Sequence, residues 1–191
     1  MTARSTPLRH LPNLITLLRI LLVGPIVWAL LQGRFELAIW LFLVAGISDG
    51  VDGFLAKRFG WSSRLGGILD ALADKFLLVS TFVCLWWLGV FPGWLVLLIL
   101  ARDLLIVAGG ALYNLRVEPV QPAPSRISKL NTFLQIVLAA LGVVHLGIAP
   151  LPPLLLQLLM GAVVITVFLS GAGYVRDWSR RAREHRRGGG A

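Results

Sequence analysis

Six apolar stretches run through this chain, separated by short clusters of glycine, proline and charge. They predict helices over about Asn13 to Gln32, Phe35 to Ala56 and Gly66 to Leu88, then Gly93 to Leu115, Ile127 to Gly147 and Pro153 to Val175. Each is long enough to cross a hydrocarbon core, which takes about 20 helical residues. The turn Gly89-Val90-Phe91-Pro92-Gly93 separates the third from the fourth. The second, third and fourth stretches carry polar ends, so hydropathy alone draws them short.

Charge orients these helices. Arg4 and Arg9 precede the first; Lys57, Arg58 and Arg64 fall between the second and third. Arg116, Arg126 and Lys129 surround the fourth-to-fifth connection, and Arg176, Arg180, Arg181, Arg183, Arg186 and Arg187 follow the sixth. The alternate connections carry Arg34 with Glu36, then no charge, then only His145. Basic residues in every second connection predict six spans with both termini cytoplasmic.

Composition supports this reading. Of 191 residues, 57% are hydrophobic and 14% charged, against about a quarter charged in soluble proteins. A soluble domain, a disordered chain and a disulfide scaffold are thereby excluded. The single Cys84 has no internal partner, and no Cys/His spacing suits zinc. The expected fold class is an all-α integral membrane protein. Residues 1–12 form an N-terminal interfacial segment, with a short helix over Met1 to Leu11. Residues 13–175 form the six-helix domain, and 176–191 a basic cytoplasmic tail ending in an irregular Gly-Gly-Gly-Ala. No cleavable signal peptide is evident, since the first apolar run is too long and carries Arg19. The net charge of +9 faces lipid headgroups, and no nucleic-acid partner is expected.

Four of the nine acids lie in one region: Asp49 and Asp52 at the end of the second helix, Asp70 and Asp74 near the start of the third. Asp49 and Asp52 are i,i+3 neighbours and Asp70 and Asp74 i,i+4, so each pair shares a helix face. The hairpin between these helices brings the pairs to one depth near the cytoplasmic side. Four gathered carboxylates need counter-charge. Lys57 and Lys75 supply part of it, and oxygen ligands suit Mg²⁺, Mn²⁺ or Ca²⁺ for the rest. Gly50, Gly53, Gly66 and Gly67 clear space for a phosphate-bearing ligand. Either pair alone has another reading: Asp49 and Asp52 as a cap or a transporter's proton relay, Asp74 and Lys75 as a local ion pair.

At these residues the chain resembles the CDP-alcohol phosphatidyltransferase family, whose signature is D-x-x-D-G-x-x-A-R-x8-G-x-x-x-D-x-x-x-D. Asp49 through Asp74 matches every spacing, with Lys57 in place of the usual Arg and Ala71 where many members have Pro. Further resemblance lies in Pro12 to Arg19, in Ala101-Arg102-Asp103, and in Ser125 to Thr132 with Gln135. It implies a six-helix membrane enzyme, usually a homodimer, in a cell (inner) membrane with its active site facing the cytoplasm.

By that resemblance, two divalent cations (Mg²⁺ or Mn²⁺) would be held by Asp49, Asp52, Asp70 and Asp74, with Asp74 also the catalytic base. Asn13, Thr16, Asp52, Gly53, Ala56, Lys57, Ser63 and Gly66 would contact the donor, CDP-diacylglycerol. An alcohol would attack the lipid-side phosphorus and CMP would leave. Arg102, Arg126, Lys129 and Asn131 would bind the acceptor. Members making phosphatidylglycerophosphate tend to read Ala-Arg-Glu and Gly-Lys-x-Lys-Thr at these helices. Here the chain reads Ala101-Arg102-Asp103 and Ser128-Lys129-Leu130-Asn131-Thr132, so Asn131 removes a charge. That pattern is more like eukaryotic-type cardiolipin synthases, with phosphatidylglycerol as acceptor; glycerol-3-phosphate is the alternative.

Two readings of a different kind compete. An ion or proton transporter would need charge through the membrane depth, and the outer halves of these helices have none. An inactive scaffold would not need all four acids at intact spacing. Arg19 reads as a donor contact or as a cation snorkelling to the cytoplasmic side. Trp28, Trp40, Trp86, Trp87 and Trp94 read as interfacial anchors. Gly109-Gly110 and Gly171-x-Gly173 read as helix-packing or dimer contacts. Cys84 reads as packing, and His10 and His145 as partnerless.

Overall fold

The computed structural model describes residues 11–59, 64–116 and 125–188, and within them the side chains of 15–48, 69–70, 72–109, 125–177 and 180. Six helices and no strand occur among the described residues: α1 (Leu11–Leu31), α2 (Phe35–Phe59), α3 (Arg64–Trp87), α4 (Gly93–Arg116), α5 (Arg126–Gly147) and α6 (Pro153–Gly188). The bounds of the first five fall within a few residues of the sequence expectation. The sixth differs, because the basic tail continues it as helix through Gly188. The expected interfacial helix over residues 1–10 and the irregular end at 189–191 lie outside the described residues.

The turns follow from glycine. α1 ends in a Schellman motif, in which Arg34 N–H donates to Ala29 O at 2.8 Å and Gly33 N–H to Leu30 O at 3.2 Å. Gly33 sits at φ +68°, a backbone region that Cβ-bearing residues rarely adopt. α3 ends the same way: Val90 N–H donates to Leu85 O at 2.8 Å, Gly89 N–H to Trp86 O at 2.9 Å, and Gly89 has φ +78°. Ser125 caps the start of α5, its Oγ accepting from Ser128 N–H at 3.1 Å. His145, expected to be partnerless, instead closes the other end: its Nδ1 accepts from Leu151 N–H at 2.8 Å.

The chain divides into two compact units. The first comprises Met1–Phe91 with Ala139–Leu151. Within it α1 packs on both α2 and α3. The buried stripe of α1 is Thr16, Arg19, Val23, Ile26 and Leu30, spaced by three and four residues. Small residues on α2 (Ala38, Ala45) admit close approach, and α3 contributes Leu77, Phe82 and Leu85. Cys84 is buried, as its packing role requires. Phe91 leans on Phe82 with ring centroids 5.7 Å apart. The second unit comprises Pro92–Leu138 with Pro152–Ala191, and there α4 packs on α6.

Glycine matters to packing in places other than those expected. A Cβ on Gly142 would lie 2.9 Å from Leu85 Cδ1 and Phe91 Cε2, and one on Gly147 would lie 2.6 Å from Phe35 Cβ. Gly171 and Gly173, expected to serve helix packing or dimer contact, have open space around them within this chain, which removes the packing role inside the chain. Gly147→Ala is therefore expected to destabilise by about 1–3 kcal/mol, through overpacking against the start of α2. Gly171→Ala should instead stabilise by about 0.5–1 kcal/mol through helix propensity. Thermal melts of both variants in detergent check the pair.

The surface is apolar and part of the interior polar. Trp40, Trp87, Leu97, Leu104, Ile148, Leu158 and Phe168 are exposed. Thr16, Arg19, Thr81, Arg102, Ser128, Asn131, Gln135, Thr166 and Ser170 are buried. This reverses the soluble arrangement and suits a hydrocarbon solvent. The five tryptophans read as anchors are all outward-facing, and Arg34 lies over the Trp28 ring at 5.0 Å. Among the described residues, Arg126–Gly147 and Pro153–Asp177 are long and apolar enough to cross a membrane. The apolar runs Ile15–Leu31 and Phe35–Ser48 are shorter.

Candidate active site

Asp70 and Asp74 stand one turn apart on α3, facing α1. On α1, Arg19 belongs to the buried stripe, and its side chain is fully buried. A single nitrogen, Nη1, donates to Asp70 Oδ1 at 2.9 Å and to Asp74 Oδ1 at 2.6 Å. The carboxylates are not buried with it, each side chain being a little under two-fifths exposed. Isolated burial of a guanidinium is prohibitive, so this pairing is what allows Arg19 its place. Sequence reading left Arg19 between donor contact and snorkelling; its burial sets snorkelling aside, and its observed partners are Asp70 and Asp74. The available signal was its register: Arg19 falls on the Thr16, Val23, Ile26 stripe rather than the lipid-facing side.

The oxygens of Asp70 and Asp74 converge on one cationic centre, and all-oxygen donors suit Mg²⁺ or Mn²⁺. The residues present thus fit a divalent cation. No group of three or more metal-ligating side chains occurs among the described residues. Asp49 and Asp52 lie on the last turns of α2, and their side chains fall outside the described residues. The same holds for the donor candidates Asn13 on α1, Gly53, Ala56 and Lys57 on α2, and Gly66 on α3, while Ser63 lies outside altogether. Thr16 is buried one turn before Arg19.

The second unit carries the acceptor candidates, and the structure separates them into two pairs. Arg102 is buried on α4. Its Nη1 donates to Asp103 Oδ1 at 2.7 Å, and its Nη2 to Ser128 Oγ of α5 at 2.5 Å and Ser170 Oγ of α6 at 2.6 Å. This residue ties three helices together. Asn131 is fully buried on α5, its Oδ1 accepting from Thr166 Oγ1 at 3.0 Å. Arg126 and Lys129 are exposed. Lys129 lines an open groove of about 320 Å³ with Ser128, Thr132, Phe133 and Ile136. Asn131 Nδ2 and Gln135 Nε2, one helical turn apart, are buried donors without a hydrogen-bond partner among the described residues.

Among the described residues, helices with largely apolar exposed faces and an acid pair held by a buried arginine suit a protein that works in a membrane. Residues 9–169 match the CDP-alcohol phosphatidyltransferase family, and the chain belongs to that membrane-bound family of enzymes. It is 35% identical over 174 residues to a probable phosphatidylglycerophosphate synthase of Mycobacterium tuberculosis, covering 87% of this chain and 80% of the relative. It is 31% identical over 146 residues to the cardiolipin synthase (CMP-forming) of Rattus norvegicus, covering 68% of this chain and 48% of the relative. It is 34% identical over 154 residues to a cardiolipin synthase (CMP-forming) / mitochondrial hydrolase fusion protein of Schizosaccharomyces pombe, covering 71% of this chain and 26% of that protein. The chain therefore spans about a quarter to four-fifths of the length of these relatives.

Proposed function

We propose that this protein transfers a phosphatidyl group from CDP-diacylglycerol to the hydroxyl of phosphatidylglycerol, forming cardiolipin and releasing CMP. The observation that carries the transfer chemistry is the convergence of Asp70 and Asp74 on one cation within the intact signature Asp49 to Asp74. In this reading six helices cross an inner membrane, both termini are cytoplasmic and the active site opens to the cytoplasm. The enzyme works as a homodimer.

Asp49, Asp52, Asp70 and Asp74 would hold two divalent cations, Mg²⁺ or Mn²⁺. When bound, these neutralise the pyrophosphate charge of the donor. Asn13, Thr16, Gly53, Ala56, Lys57, Ser63 and Gly66 grip the cytidine diphosphate portion. Asp74 takes the proton from the acceptor hydroxyl as its oxygen attacks the phosphorus bearing the diacylglycerol. The phosphoanhydride P–O bond breaks and the electron pair leaves with CMP. No covalent enzyme intermediate forms.

Phosphatidylglycerol is favoured by the character of the acceptor residues. A terminal phosphate dianion calls for several available cations. Arg102 is committed to Asp103, Ser128 and Ser170, and Asn131 stands where a lysine would add charge. That leaves the exposed Arg126 and Lys129, enough for a phosphodiester, with the Asn131 and Gln135 amides as neutral donors. A second reading, glycerol-3-phosphate as acceptor, draws on the Mycobacterium tuberculosis relative, which aligns over more of both chains than the rat protein does. The test is product identification by mass spectrometry, with both acceptors supplied together at equal concentration. Cardiolipin is the expected product; phosphatidylglycerophosphate would replace the acceptor and leave the transfer chemistry standing.

A further inference from the structure

Arg19 is a fully buried cation whose single nitrogen touches two carboxylates of the signature. At i,i+4 on α3, Asp70 and Asp74 repel one another. Left to themselves they would splay apart. Arg19 removes that repulsion from the buried side. Each acid is engaged through Oδ1, and each side chain keeps a little under two-fifths of its surface exposed. The residue also sits in helical register with buried Thr16, Val23 and Ile26, so packing fixes its backbone.

We propose that Arg19 is a positioning residue for cation binding. It anchors Asp70 and Asp74 through their Oδ1 atoms and presents them, converged, to a divalent cation. Residues that hydrogen-bond to metal-ligating carboxylates orient them and tune affinity in this way. The positioning effect lies in the geometry: one guanidinium nitrogen holds the Oδ1 atoms of both acids on the same side of α3. The inference rests on the reading of Asp70 and Asp74 as cation ligands, and the two are separable by experiment.

Mn²⁺ binding to the purified protein, followed by electron paramagnetic resonance of the free ion without substrate, reads affinity directly. Arg19→Gln is expected to weaken Mn²⁺ binding by about 10–100-fold, as losses of such supporting partners do. Arg19→Lys keeps the buried charge but lacks the guanidinium's reach and planar geometry. It should melt close to the parent in EDTA and still bind Mn²⁺ about tenfold more weakly. This makes it the decisive variant if Arg19→Gln does not fold. Folded Arg19 variants that bind Mn²⁺ as tightly as the parent, or more tightly, would overturn the proposal and leave Arg19 a purely structural ion pair. Asp70→Asn, run alongside, should abolish binding. If it does not, the cation reading of the pair itself fails, whatever the Arg19 variants do.

Discussion

Asp74→Asn is expected to lower turnover by about 10²–10⁴-fold, the usual contribution of a positioned general base, while the protein stays folded. The amide is nearly isosteric, its Oδ1 still accepts from Arg19, and Asp70 continues to balance the buried guanidinium. What is lost is the ability to take the acceptor's proton, together with one of the anionic oxygens. CMP release measures the first effect and a detergent melt confirms the fold. Asp177→Asn, which alters an exposed acid of α6, should leave both unchanged. An Asp74→Asn enzyme turning over at the parental rate would remove Asp74 from the chemistry.

The largest loss of stability is expected from Arg102→Ala. Arg102 joins α4 to α5 and α6 through Ser128 and Ser170 and pairs with the mostly buried Asp103. Removing one partner of a buried ion pair costs about 3–5 kcal/mol, because the other charge is left uncompensated. Ser170→Ala removes one hydrogen bond to a charged group and should cost less, about 1.5–3 kcal/mol. Arg126→Ala, on the exposed side of α5, should not change the melt but should raise KM for the acceptor. Denaturation of the three variants, paired with acceptor titrations, tests this division of labour. An Arg102→Ala protein as stable as the parent, with KM alone changed, would return Arg102 to direct acceptor binding.

The helices and the acid pair were legible from sequence because both are local signals. A run of apolar residues marks each helix, glycine ends α1 and α3, and the spacing of Asp70 and Asp74 places them on one face of α3. Long-range partners were not legible. Arg19 lies 51 residues from Asp70 and 55 from Asp74, and a lone arginine in an apolar span reads as snorkelling unless the buried stripe is known. The same difficulty affected Arg102 and Asn131. Their chemistry suits a phosphate site, yet small hydroxyl residues on neighbouring helices engage them, and serines or threonines in apolar runs do not announce a partner. His145 was missed because its acceptor role serves a backbone N–H beyond the end of α5. The tight glycine contacts were not legible for a related reason: Gly147 is tight because of Phe35, more than one hundred residues earlier in the chain.

The central claim is phosphatidyl transfer, and the most direct measurement is CMP release by the purified protein from CDP-diacylglycerol. It should be run with and without phosphatidylglycerol, in Mn²⁺ and in EDTA. CMP release that requires the acceptor and the cation together, in step with cardiolipin formed, is the predicted result. CMP release at the same rate without an acceptor, or transfer undiminished in EDTA, would contradict it.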